Sequence, residues 1–264
     1  MKIKIRHYIK KIVNFFLPSI FTEFLKKKIF LHKKKTKIRL DINKNIKSIK
    51  NLDNYIFEVH KSKLRYFGGL KFSKDNHPFL KYLSGNKTEM YNFYSDNQPN
   101  NILTCHRIQN EKGYFDKNFF LDPEGCLPWL KYNNISETIP EGKLNISDGR
   151  QQFGPVSEKK LNFEIERLDN VRESIKNNGF IPEKFEGYPR GYFISKNNED
   201  WVFYIVGGSH RVAALIALNF EYVPVTLQPE YPSIVQETEI NNWPKIKENK
   251  ITKSEAKKIF SSYF

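Results

Sequence analysis

Sulfur is scarce in this chain: 264 residues hold two cysteines and two methionines. Cys105 and Cys126 have neither zinc-knuckle spacing nor the density of a disulfide scaffold. They are expected to be buried thiols in a reducing, cytoplasmic setting. Long apolar runs are also missing. No segment reaches the ~18 apolar residues of a membrane span, and no A-x-A-like cleavage site follows the interrupted apolar stretches near the start. Acidic residues are nearly absent from residues 1–39, which carry 13 Lys/Arg against one Glu. The remaining 31 Lys/Arg face 28 Asp/Glu, so the formal charge of +15 belongs to the arm and the body is close to balanced. A nucleic-acid-binding body would need a basic face of its own, and the charge balance gives that reading no support.

Aromatic residues, by contrast, are plentiful. With 22 Phe, 14 Tyr and 39% apolar residues, the chain can bury a core as one large domain or two small ones. In the basic arm, residues 1–39, Ile5, Ile9, Ile12 and Phe16 recur at helical spacing with Lys10 and Lys11 between them. Pro18 interrupts the pattern; Ile20, Phe21, Phe24 and Leu25 then precede Lys26, Lys27 and Lys28. Such an arm suits the surface of an anionic membrane, which would place the protein peripherally on the inner face. A helical pair packed on the body is the bland reading, and nucleic-acid contact is a third.

Residues 40–56 read as an Asn/Lys-rich linker, and 57–144 as an aromatic-rich region with short helices near 79–83 and 90–94. Its aromatic clusters suit a core better than a ligand pocket. His77 and His106 each lack a nearby metal-ligand partner, so metal ligands remain unknown. From Ser157 a helix is expected, with Leu161, Ile165, Leu168, Val171 and Ile175 on one stripe and a stop at Asn177-Asn178-Gly179. Phe163 lies off that stripe and leaves a strand open for the first residues. Residues 201–206, WVFYIV, read as a buried strand. Gly207-Gly208 ends it, His210 to Leu218 form a short helix, and 222–227, YVPVTL, form another strand. This order indicates an α+β fold with an α/β-like core. Residues 231–264 close the chain with a helix whose Thr252 and Glu255 have capping-box spacing.

The strand–Gly–Gly–Ser–His–Arg–helix segment carries the chemical signal. Gly207 and Gly208 permit a tight reversal, and the amides at the helix start can hold phosphate oxygens. Ser209 offers a hydroxyl, Arg211 a fork of donors, and His210 a donor or proton carrier. The alternative is a structural turn, with His210 and Arg211 bonded to carbonyls or nearby acids. The spacing is not that of a Walker A loop.

The run IVGGSHRVAALIALNFEYVPV at 205–225 resembles the signature of the ParB/sulfiredoxin fold, and LDNVRESIKNNGFIP at 168–182 resembles the preceding helix and turn. Together they cover about residues 145–230. In sulfiredoxins the position of Ser209 is a cysteine, and serine cannot form a thiosulfinate, so that chemistry is not expected. ParB proper binds CTP and adds a helix-turn-helix DNA module, which the tail 231–264 does not resemble. Free-serine kinases of this fold imply an ATP-dependent phosphotransferase, with Glu164, Glu166 or Asp148 as base, His210 assisting, and Mg²⁺ accompanying the nucleotide. The arrangement is also similar to ParB-like proteins encoded with bacterial surface-polysaccharide genes, which implies a small-molecule or glycan-precursor acceptor. The expectation is therefore a nucleotide-dependent kinase. The alternative is a ParB-like nucleotide- or nucleic-acid-binding module without catalysis, and nuclease activity is a third implication of the fold.

Overall fold

The computed structural model describes residues 35–40, 45–110, 113–131, 144–185, 187–196 and 200–264. Nearly all of the basic arm, to which the membrane and nucleic-acid expectations attach, lies outside the described residues. The chain divides into a unit up to Thr36 and a unit from Lys37 to Phe264, and the second is described here.

It is an α+β unit built on one mixed sheet. The strands are β1 (Thr36–Leu40), β2 (Tyr55–His60), β3 (Leu64–Arg65), β4 (Arg190–Ser195), β5 (Trp201–Gly207), β6 (Tyr222–Leu227) and β7 (Ile234–Gln236). Their order is β1-β2-β6-β4-β5-β3, with β7 pairing β4. The central hairpin β4–β5 is antiparallel, from Gly191 opposite Ile205 to Ser195 opposite Trp201. Its aromatic and β-branched side chains suit a strand covered on both faces, and Tyr192, Phe193, Trp201, Phe203 and Tyr204 are all fully buried. The hairpin can close only around glycine at 191, where a Cβ would stand 1.8 Å from the Tyr204 carbonyl oxygen.

The sheet crosses the boundary expected at 144–145. β2 runs antiparallel to β6 with Phe57 opposite Val225, and β3 runs parallel to β5 with Leu64 opposite Phe203. Most of the aromatic side chains of residues 57–144 belong to the same core as the C-terminal strands. Nor is the expected linker bare: Leu40 and Ile46 within it are fully buried.

The helices are α1 (Pro78–Leu83), α2 (Thr88–Asp96), α3 (Ile102–Cys105), α4 (Glu158–Asn178), α5 (Ser209–Ala217), α6 (Pro244–Lys247) and α7 (Lys253–Ser261). The Ser157 hydroxyl caps α4 by accepting from the Lys160 amide at 3.1 Å, and Gly179 ends it at φ +73°. The first residues are thus helical, and the strand left open around Phe163 does not form. Helix α5 packs against both α4 and α1. Cys105 and Cys126 are free and buried. Among the described residues no helix is long and apolar enough to cross a membrane.

Candidate anion site at the start of helix α5

Strand β5 delivers the chain to Gly207, and Gly208 turns it into α5 from the left-handed region, at φ +86° and ψ +26°. The first helical bond runs from the Val212 amide to the Gly208 carbonyl, 3.1 Å. The amides of Ser209, His210 and Arg211 precede that bond and lie at the positive end of the helix. A cleft opens here, lined by residues 206–210, by residues 144–146 and 149–152, and by Tyr66, Lys160 and Arg167. Three of these side chains, Arg150, Lys160 and Arg167, are cationic. None is a carboxylate.

The wall opposite α5 is built by Arg150, Gln151 and Gln152. Gln151 Nε2 donates to Ser209 Oγ at 2.5 Å and to Tyr66 Oη at 3.1 Å. Tyr94 Oη donates to the Gln151 carbonyl, 3.1 Å. Arg150 Nε donates to the Phe120 carbonyl at 2.8 Å and its Nη2 to the Leu121 carbonyl. The cleft wall is therefore tied to Ser209 on one side and to the 120–121 loop on the other.

Beneath the cleft is a buried charge cluster. Glu164 is fully buried, with Oε1 2.6 Å from Lys160 Nζ and Oε2 2.6 Å from His210 Nε2. Burial works against ionisation of this carboxyl, but the contacts of His210 and Lys160 outweigh it and hold Glu164 below the usual range. The His210 ring stacks on Phe79 of α1 at 4.6 Å, so both its face and its outer nitrogen are engaged. His77, whose ring meets Phe79 edge-on at 5.2 Å, is fully buried, and burial followed by the proximity of His210 pushes it down to about 3. His77 is a neutral core ring.

The four acid/base candidates separate in space. Glu164 and His210 meet. Glu166, two residues along α4, is exposed. Asp148 is a structural bracket: its Oδ2 accepts from the Asn145 amide at 3.0 Å and its Oδ1 from the Ser157 hydroxyl at 2.8 Å. These two bonds, the Asn145 amide first, hold its carboxyl low. Of the expected phosphate ligands, Gly207, Gly208, Ser209 and His210 line the cleft, whereas Arg211 does not. The Arg211 guanidinium donates through Nη1 to the Gly187 carbonyl and packs so closely under Gly208 that a Cβ there would meet its Nη2 at 2.6 Å. Lys160, Arg167 and Arg150 are the cationic residues of the lining, Lys160 with its Nζ against Glu164 and Arg150 with its guanidinium on the 120 and 121 carbonyls. Their helical or loop positions carried no motif, although Lys160 and Glu164 have the i, i+4 spacing of an ion pair.

His106 is also a core ring, with Nδ1 2.7 Å from Ser262 Oγ, and burial pushes it down to about 3. Among the described residues no three His, Cys, Asp or Glu side chains gather as a metal site. Neither the protein-family models nor the curated proteins compared with this chain match it.

Proposed function

We propose that the cleft at the start of α5 binds the phosphate groups of a nucleotide, and that the unit containing residues 145–230 acts as a ParB/sulfiredoxin-like binding module without catalysis. One observation carries this reading: among the described residues, the cleft is lined by Arg150, Lys160 and Arg167 and by no carboxylate. A helix start with glycine on its approach suits phosphate oxygens, and arginines add charge-assisted donors. The described lining offers no carboxylate to a Mg²⁺ ion, so the residues themselves do not make a Mg²⁺ site. ATP, CTP and their diphosphates share the chemistry that the cleft would recognise.

A phosphotransferase acting on a small molecule or glycan precursor is supported less well. A general base must come within hydrogen-bond reach of the acceptor hydroxyl. Glu164 is fully buried, with one oxygen against the Lys160 ammonium and the other against His210 Nε2. His210 turns Nε2 toward that carboxylate.

The test is calorimetry of the full chain with ATP, ADP, CTP and GTP, beside the Arg167→Ala variant. Micromolar affinity that falls about tenfold in the variant is expected, since one charge-assisted contact contributes about 1.5 kcal/mol. Failure of all four nucleotides to bind at millimolar concentration would remove the reading. Steady release of ADP in the presence of an acceptor alcohol would restore the kinase.

A further inference from the structure

Behind the cleft wall lies a second buried carboxyl. Glu124 opens the 3-10 turn Glu124–Cys126. It receives Tyr231 Oη at 3.0 Å on Oε2 and Tyr204 Oη at 3.5 Å on Oε1. The third donor is the Gln152 side chain, and Gln152 lines the cleft. The loop bearing Glu124 is the one whose 120 and 121 carbonyls hold the Arg150 guanidinium. One short segment, residues 150–152, thus forms the cleft wall on its front and grips the Glu124 loop on its back.

We propose that Glu124 is a proton-linked positioning residue for the cleft: neutral, it leaves the wall competent for an anion, and ionised, it weakens anion binding. This rests on the anion reading given above.

Among the described residues that act on Glu124, dipoles alone favour its charge. The groups that face it are Asp122 from its own loop, Gln152 from the wall, Tyr204 from β5 and Tyr231 after β6, with Tyr192 of β4 and Tyr263 of the C-terminal turn just beyond. Burial and the charge of Asp122 oppose ionisation; the Tyr231, Tyr204 and Gln152 bonds favour it. The balance pushes the carboxyl up to about 7. The phenols are held in their neutral, donating form, because burial drives Tyr192, Tyr204, Tyr231 and Tyr263 upward. Ionisation acts on the cleft in two ways of the same sign. It places a negative charge behind an anion site in a medium that screens poorly, and a carboxylate holds the Gln152 amide more tightly than a neutral acid does. By linkage, a bound anion must make Glu124 harder to ionise.

The experiment uses sulfate, which does not titrate between pH 5.5 and 8.5, and follows its binding to the full chain by NMR. Affinity of the wild type is expected to fall about fivefold across neutrality, at the low end of couplings between linked sites. Glu124→Gln should retain the low-pH affinity throughout. Tyr231→Phe removes a donor to the carboxylate and should move the fall to higher pH; it also serves if Glu124→Gln does not fold. Sulfate binding with the same pH profile in wild type and both variants overturns the proposal and leaves the anion site standing. Absence of sulfate and nucleotide binding at every pH overturns both.

Discussion

Removing Glu164 should damage the fold far more than removing Glu166, although the two sit two residues apart on one helix. Glu164→Ala deletes the anion that faces Lys160 and His210, whose side chains are only 5% and 4% exposed. Breaking a buried ion pair by removing one partner costs about 3–5 kcal/mol, because the other charge stays buried without compensation. For a unit of this size that corresponds to a fall in Tm of roughly 6–20 °C. Glu166 is exposed, and Glu166→Ala should stay within about 0.5 kcal/mol of wild type. Urea unfolding of the three proteins at pH 7 measures both values. The pH dependence adds a sign. Because the Glu164 carboxyl is held low, its contribution is present above the ordinary carboxylate range. It is lost as pH falls through the folded-state value. The gap between wild type and Glu164→Ala should therefore narrow in acid. Equal and small losses for the two alanine variants would refute the cluster.

Two further outcomes follow from backbone geometry and capping. Gly208→Ala is expected to lose about 1–3 kcal/mol, the cost of a side chain in the left-handed region, and to weaken nucleotide binding, because the added Cβ displaces Arg211 and tilts the helix start. Urea unfolding and calorimetry check the two halves. Thr252→Ala should cost about 1 kcal/mol, since Thr252 Oγ1 accepts from the Glu255 amide at 3.2 Å while Glu255 accepts from the Thr252 amide at 2.8 Å. Addition of a Glu255→Ala change to that variant should cost about 1 kcal/mol more, because the backbone amide at 252 then loses its own acceptor.

The C-terminal half was legible because its signals are local. WVFYIV, the glycine pair, the stop at Gly179 and the Thr252 box each act within a few residues, and β5, α5, α4 and α7 formed where they point. The phase of α4 was legible in part: the expected stripe faces the core, with Leu168 and Ile175 buried and Leu161, Ile165 and Val171 packed against it. Its fully buried line begins Lys160, Glu164, Leu168, whereas the apolar stripe runs through Leu161 and Ile165, which are only partly buried. A lysine and a glutamate on the inner line look like surface until His210 arrives from a distant helix. Arg211 is ambiguous in the opposite way: its charge suggests a ligand, while its Nη1 donates to the Gly187 carbonyl. Glu124 carried no signal, since its burial depends on tyrosines some 80 and 107 positions away. Of the strands of the N-terminal half, β3 spans two residues, too few for any periodicity, and β2 buries the adjacent Ile56 and Phe57, which breaks the alternation of a half-buried strand.

The pairing of β3 with β5 and of β2 with β6 has a consequence during synthesis. Leu64 has no strand partner until Phe203 has been made, nor Phe57 until Val225. At roughly 5–20 residues per second of translation, that wait is on the order of ten seconds. Throughout it, the aromatic segments of the first half are outside the ribosome without the hairpin they pack on. The nascent chain is thus a natural client for a holding chaperone, and its newborn yield should depend on how fast residues 201–227 follow.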